Sequence, residues 1–133
     1  MGRGAGQDAA LFSPVAREEG AGTIVAVGLA IVLLLLLTAL MWLGEAANAA
    51  AKAATAADLA ALAGADAARG LTVGDPCQVA ADLVIRQGAV LVSCMVVGVY
   101  ADTVQLEVSV QTGLPWPAYN KSRAGPPPEL VVP

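Results

Sequence analysis

The longest apolar stretch of the chain lies between Glu19 and Glu45 and contains no charged residue. Its main part, Ala21–Leu43, is longer than the roughly 20 residues that a helix needs to cross the hydrocarbon layer of a bilayer. Backbone polar groups in hydrocarbon must bond to one another, and a single span achieves this only as a helix. The alternative is a buried core helix, but the rest of the chain has too little apolar surface to enclose one. The pattern therefore predicts a transmembrane helix over residues 21–44.

The stretch that follows, 45–70, consists mainly of Ala, the best helix former. The apolar helix is therefore predicted to continue beyond the bilayer as one long helix over about 23–69. Four polar residues recur at steps of three and four and form one stripe: Glu45, Asn48, Lys52 and Thr55. Leu59 and Leu62 continue this stripe, and the other faces are nearly all Ala. Small side chains let helices approach closely, so the Ala faces are interpreted either as a packing surface for other helices or as a simple low-complexity stalk.

A small α-β-β module is predicted over residues 71–112. Asp75 and Pro76 are of the types preferred at the N-cap and at the first position of a helix. Gly88 is a typical helix stop. These signals delimit a short helix over 77–87.

Two apolar stretches after this short helix predict an antiparallel hairpin. The first, Ala89–Val97, is rich in β-branched residues, and the second, Thr103–Gln111, alternates strictly between apolar and polar residues. Such alternation is typical of a half-solvated strand. In the second strand it places four side chains on one face: Val104, Leu106, Val108 and Val110. In the first strand it places Cys94 on a face with Val90, Val92 and Val96.

The two ends of the chain show no periodic pattern. Residues 1–20 are rich in Gly and Ala and are interpreted as a flexible cytoplasmic tail or a leader. Residues 113–133 hold most of the prolines and are interpreted as an extended, Pro-rich tail. The predicted fold class is thus α+β and membrane-anchored, with one long N-terminal helix, a short helix and a β-hairpin.

The chain has two cysteines, Cys77 in the first turn of the short helix and Cys94 in the middle of the first strand. A helix packed on the face that carries Cys94 would bring the two together, so a disulfide is predicted. Closing a loop of this length is worth roughly 3 kcal/mol in the chain-entropy description. The alternative is two independent buried thiols. A disulfide would place the residues after the span in an oxidising compartment and the N-terminus in the cytoplasm.

Composition argues against several functional classes. The 133 residues carry a formal net charge of −4 and include no His. Nucleic-acid binding needs clustered Lys and Arg, whereas the basic residues here are scattered. His is the commonest general base near neutral pH and the commonest transition-metal ligand. No carboxylate pair, nucleophile–base spacing or phosphate-binding loop stands out, so no enzymatic activity, cofactor, metal or small-molecule substrate is predicted.

The order of segments resembles a known family. Arg17–Ala30, REEGAGTIVAVGLA, the apolar run and the Ala-rich sequence AATAADLAALAGA look like the TadE/TadG-like proteins of actinobacteria. The later segments are similar to the short TadE-like subgroup: a helix with an early Cys, QGAVLVSC, an alternating strand and RAGP at Arg123–Pro126. The resemblance covers nearly the whole chain after Arg17. It implies a pilin-like membrane protein linked to Flp (tight-adherence) pilus or secretion-type envelope machinery.

The resemblance implies a non-catalytic structural component, anchored by its N-terminal helix, whose partners are the membrane and other pilin-like or Tad-type subunits. Leaders of this family end in Gly or Ala before the apolar stretch, which makes Gly20 a possible cleavage position. The fifth residue after Gly20 is Val25, where the family has Glu. The alternative function is a small, disulfide-stapled binding module that is secreted. Ala47-Asn48-Ala49 fits a signal-peptidase site, and cleavage after Ala49 would release it.

Overall fold

The computed structural model describes the backbone of residues 3–127 and the side chains of residues 20–127. Two helices and three strands follow one another: α1 (Arg3–Ala68), α2 (Pro76–Arg86), β1 (Val90–Val97), β2 (Thr103–Val110) and β3 (Ala118–Ala124). The strands form one antiparallel sheet in the order β1-β2-β3. The chain divides into two compact units, Met1–Met41 and Trp42–Pro133, and α1 contributes to both. The fold is therefore α+β, as predicted.

The long helix is confirmed, but it begins earlier than the apolar pattern indicates. α1 starts at Arg3 rather than near Thr23, so residues 3–20 are helical rather than a flexible tail. Starting a helix is the costly step and lengthening it is cheap. Residues 3–20 include several Ala residues, which favour this extension, as well as Gly4, Gly6 and Pro14, which oppose it.

The predicted short helix is confirmed in detail. Asp75 is the N-cap of α2, and its side chain accepts hydrogen bonds from the backbone N–H groups of Cys77 and Gln78 at 3.0 and 3.1 Å. Pro76 is the first helical residue. Gly88 follows the C-cap with a φ of +69°, a left-handed conformation that Gly adopts without strain.

The predicted hairpin of β1 and β2 is confirmed, but a third strand was missed. Residues 118–124 lie in the region interpreted as a Pro-rich tail, and they form β3, which pairs antiparallel with β2. The sequence of β3, AYNKSRA, has no run of apolar residues and no β-branched residue. Its pairing is therefore provided by backbone hydrogen bonds to β2 and by small side chains above the core, neither of which gives a hydrophobic pattern.

The face of β1 that meets the core also differs from the prediction. The pairing with β2 shifts between Leu91 and Ser93, so Val92 is the extra residue of a β-bulge. A bulge moves the residues on one side of it to the opposite face. Leu91 and Cys94 consequently pair with the core residues Val108 and Leu106, whereas strict alternation had placed Val90 and Val92 beside Cys94.

The Ala-rich part of α1 forms one side of the hydrophobic core. Six of its alanines belong to this core: Ala49, Ala53, Ala56, Ala57, Ala60 and Ala61. They are clustered with Val84 of α2 and with the inner face of β2, where Val104, Leu106 and Val108 are buried. The Ala face is thus neither a free surface for other helices nor a plain stalk, because the chain's own module covers it.

The Ala-rich part of α1, which we call its core half, runs antiparallel to β2. At one end, a Cβ on Gly64 would lie 3.1 Å from Val104 Cγ1 and 3.1 Å from the Pro76 carbonyl oxygen. At the other end, Glu45 bonds to Gly113. The helix rises about 29 Å between Glu45 and Gly64, and the chain from Val104 to Gly113 spans about 30 Å when extended. The two elements are therefore matched in length.

The packing of α1 against β2 leads to a testable prediction about Ala57, which is 0% exposed. Ala57→Leu inserts a larger side chain into a packed interface and is expected to lower the free energy of unfolding by about 1–3 kcal/mol. The matched control is Ala51→Leu, at an exposed position of the same helix, for which a change within about 0.5 kcal/mol is expected. Urea unfolding of the full chain in detergent, followed by near-UV circular dichroism, measures both. Equal effects at the two positions would contradict the assigned helix face.

Candidate interaction surfaces

The apolar segment of α1 is a long exposed surface. Every residue from Gly20 to Leu43 is exposed. The most apolar window of the helix Gly20–Ala68 has a mean hydropathy of 3.0, and none of it is buried. Apolar patches of this size are rare on soluble monomers. Length and composition fit a membrane span, and they also fit a signal sequence.

A polar group inside this segment is satisfied within the helix. The Thr38 hydroxyl donates to the Leu34 carbonyl oxygen at 2.8 Å, one turn earlier. Such a back-bond lets Thr lie in an apolar environment without an unpaired donor.

The stripe of polar residues and leucines on α1 is exposed. Asn48, Lys52, Thr55, Leu59 and Leu62 are all exposed, and Leu62 lines a surface pocket together with Ser122 and Ala124 of β3. We call these five residues the outer stripe. Its two leucines are large apolar side chains left in solvent, and Leu62 is 58% exposed.

The structure brings the two cysteines together. Cys77 and Cys94 form a disulfide with a Cα–Cα distance of 5.8 Å, which joins the first turn of α2 to the middle of β1. The disulfide predicted from the sequence is therefore present. It fixes α2 to the sheet next to the part of β1 that pairs with Leu106.

The loop between β2 and β3 is held against α1 at Glu45, just after the apolar segment. The backbone N–H of Gly113 donates to Glu45 Oε1 at 2.6 Å. A Cβ at Gly113 would collide with the Glu45 carboxylate, so only Gly allows this approach. Within the loop, the Thr112 hydroxyl donates to the Trp116 carbonyl oxygen at 2.6 Å and accepts from the Leu114 N–H at 3.1 Å. These bonds fix the loop relative to Glu45.

Two further predictions from the sequence concern metal binding and leader cleavage. Within residues 20–127, no group of three or more His, Cys, Asp or Glu side chains could hold a metal ion. The possible cleavage position Gly20 is exposed and lies inside α1. Comparisons with protein-family models, with curated proteins and with solved structures found no match. Functional inference therefore rests on the geometry of the surfaces described above.

Sequence reasoning missed the contact between Glu45 and the β2–β3 loop. It treated Glu45 as the mark of the end of the span and the loop as part of a tail. One signal was available, because the chain has no charged residue between Glu107 and Lys121. An uncharged stretch that contains a Trp next to a folded module is unusual for a solvent-exposed tail.

Proposed function

We propose that this protein is a non-catalytic, TadE-like structural component of a Flp-type pilus or a secretion-type envelope machinery. The observation that supports this most is the division of α1 into two halves with opposite environments. The first half is apolar and exposed from Gly20 to Leu43, and the second is buried by the sheet from Ala49 onward. One helix thus offers an anchor for a membrane and a support for a folded module, which is the arrangement expected of a pilin-like subunit.

The proposed topology is single-pass, with a cytoplasmic N-terminus and an extracytoplasmic module. The Cys77–Cys94 disulfide supports this orientation, because disulfides persist in oxidising compartments outside the cytoplasm. The disulfide lies in the unit Trp42–Pro133, and in this topology that unit follows the span.

Assembly with other subunits would use the surfaces of α1 that the module leaves free. These are the apolar segment and the outer stripe. Helices in membranes associate through close packing of small and apolar side chains. Since the core alanines are covered, a partner helix is expected on the side of Leu59 and Leu62 and along the span.

The alternative, a secreted module cut after Ala49, is less compatible with the fold. Ala49 is buried in the core, and Glu45 holds the β2–β3 loop. Cleavage at that position would remove both contributions from the released product. A cut after Gly20, in contrast, would leave every contact of the core in place.

Photo-crosslinking in membranes of the producing cell tests the proposal. A photoreactive amino acid at Leu62 is expected to capture a second copy or another pilin-like or Tad-type subunit, identified by mass spectrometry. Tyr119 on the outer face of the sheet is the matched control, because Leu62 and Tyr119 are both 58% exposed. Capture of no envelope-machinery subunit from Leu62, or equal capture from Tyr119, would contradict the proposed assembly surface.

The intact mass of the uncrosslinked protein from the same membranes tests the anchor. The proposal predicts the full chain, or a product that begins at Ala21 if the leader is removed. Alkylation without reductant is expected to add no mass, because both cysteines are in the disulfide. A product that begins at Ala50 would overturn the anchored topology.

A further inference from the structure

We infer that the β2–β3 loop is a second membrane contact, in which Trp116 enters the lipid headgroup region beside the end of the span. This inference rests on the proposed membrane anchoring. It assigns to the loop the chemistry of an interfacial anchor, with the zwitterionic and anionic headgroups of a bilayer as its ligand.

The position of the loop carries the inference. Glu45 is the first charged residue after the apolar segment, so it marks the level at which α1 leaves the hydrocarbon. Gly113 is bonded to the Glu45 carboxylate at 2.6 Å. In the proposed topology the loop is therefore held at the level of Glu45, at the boundary between lipid and water.

The composition of the loop suits this boundary. Trp116 is 64% exposed, close to the 60% of Trp42 at the end of the span. Trp is enriched at membrane–water interfaces because its ring is apolar and its N–H can still bond to water and headgroups. The chain from Val108 to Asn120 carries no charge, which removes the main cost of placing a segment near hydrocarbon.

The loop is also ordered before it meets a membrane. The two bonds of Thr112 hold Leu114 and Trp116 in one turn, and Pro115 and Pro117 flank the Trp and restrict its backbone. A loop whose backbone is already fixed loses less conformational freedom on binding.

Trp fluorescence of the full chain in phosphatidylcholine–phosphatidylglycerol vesicles tests the inference. Trp42→Phe leaves Trp116 as the only Trp, and Trp116→Phe leaves Trp42. Nitroxides on the lipid headgroup or deep in the acyl chains report the depth of each ring. We expect the headgroup nitroxide to quench most of the Trp116 emission, with a blue shift relative to denatured protein, and Trp42 to be quenched as well.

The control position is Tyr100, in the β1–β2 turn at the opposite end of β2. β2 has 8 residues, which separate the two turns by about 26 Å. Tyr100→Trp in a chain with both natural Trp residues replaced by Phe is expected to stay unquenched and accessible to acrylamide. If Trp116 is no more quenched than Trp at position 100, the loop is not a membrane contact.

The outcomes separate the inference from the proposed function. Quenching of Trp42 without quenching of Trp116 would overturn the loop contact and leave the anchor intact. Quenching of neither would overturn the anchor as well. Glu45→Ala removes the acceptor of the Gly113 N–H and is expected to reduce quenching of Trp116 but not of Trp42. Glu45→Gln keeps an acceptor oxygen and is expected to retain most of the quenching. Unchanged Trp116 quenching in Glu45→Ala would overturn the positioning role of Glu45.

Discussion

Leu106→Ala is expected to lower the free energy of unfolding of the module by about 2–5 kcal/mol. Leu106 is 1% exposed and lies on β2, the central strand of the sheet. Its neighbours in the core are mainly Ala and Val, which are short and cannot reach into the space that a truncated Leu would leave. The cavity therefore persists, and the cost is expected near the upper part of this range.

The matched control for this prediction is Leu62→Ala. It removes the same atoms from a side chain that is 58% exposed, and it places the best helix former in α1. Its effect in detergent is expected to stay within about 0.5 kcal/mol. Urea unfolding of both full-length variants, followed by near-UV circular dichroism, gives the comparison. A small loss for Leu106→Ala would mean that β2 does not form the centre of the core.

Removal of the disulfide is expected to have the second large effect. The bond closes a loop with a sequence separation of 17 residues, for which the chain-entropy description gives roughly 3 kcal/mol. The double variant Cys77→Ser/Cys94→Ser should therefore unfold at a clearly lower urea concentration than the natural chain. The module is small, and a covalent link supplements a core built largely from alanines.

Chemical reduction distinguishes the stability lost with the disulfide from any stability lost through the two substitutions themselves. The natural chain treated with a reductant is expected to lose about as much stability as the double variant has lost. The double variant itself should not respond to the reductant. A natural chain that is equally stable with and without reductant would show that the link contributes nothing to the fold.

The elements with a clear local pattern of side chains could be predicted from the sequence. The alternation of β2 identified the buried face that contains Val104 and Leu106, and Asp75-Pro76 identified the start of α2. The uncharged stretch after Glu19 identified the exposed apolar part of α1. In each of these cases the side chains themselves carry the signal: alternating polarity in β2, capping residue types at the start of α2 and the absence of charge in the apolar part of α1.

The parts that were missed lack such a signal. Alanine is apolar on every face of α1, so its sequence does not show that the side of Ala57 is buried. β3 pairs through its backbone, and its side chains are small or polar. The bulge at Val92 adds one residue within a strand that is apolar apart from Ser93, so the sequence gives little indication of the register of β1.

The candidate site was partly predictable for the same reason. The disulfide followed from two cysteines and a helix-on-strand arrangement. The bond between Glu45 and Gly113 joins residues 68 positions apart and depends on the matched lengths of α1 and β2. A single sequence without the fold does not show that match.

The use of alanine in the core half of α1 has a consequence for biosynthesis under the proposed topology. This half leaves the ribosome and crosses the membrane before β2 has been made, so its core face has no partner for that time. Leu, Ile or Val on this face would favour retention in the bilayer, since each contributes about −0.3 to −0.6 kcal/mol to insertion at the helix centre. Alanines at the positions of Ala53 and Ala57 allow the segment to be translocated and still to fit closely against the strand that arrives later.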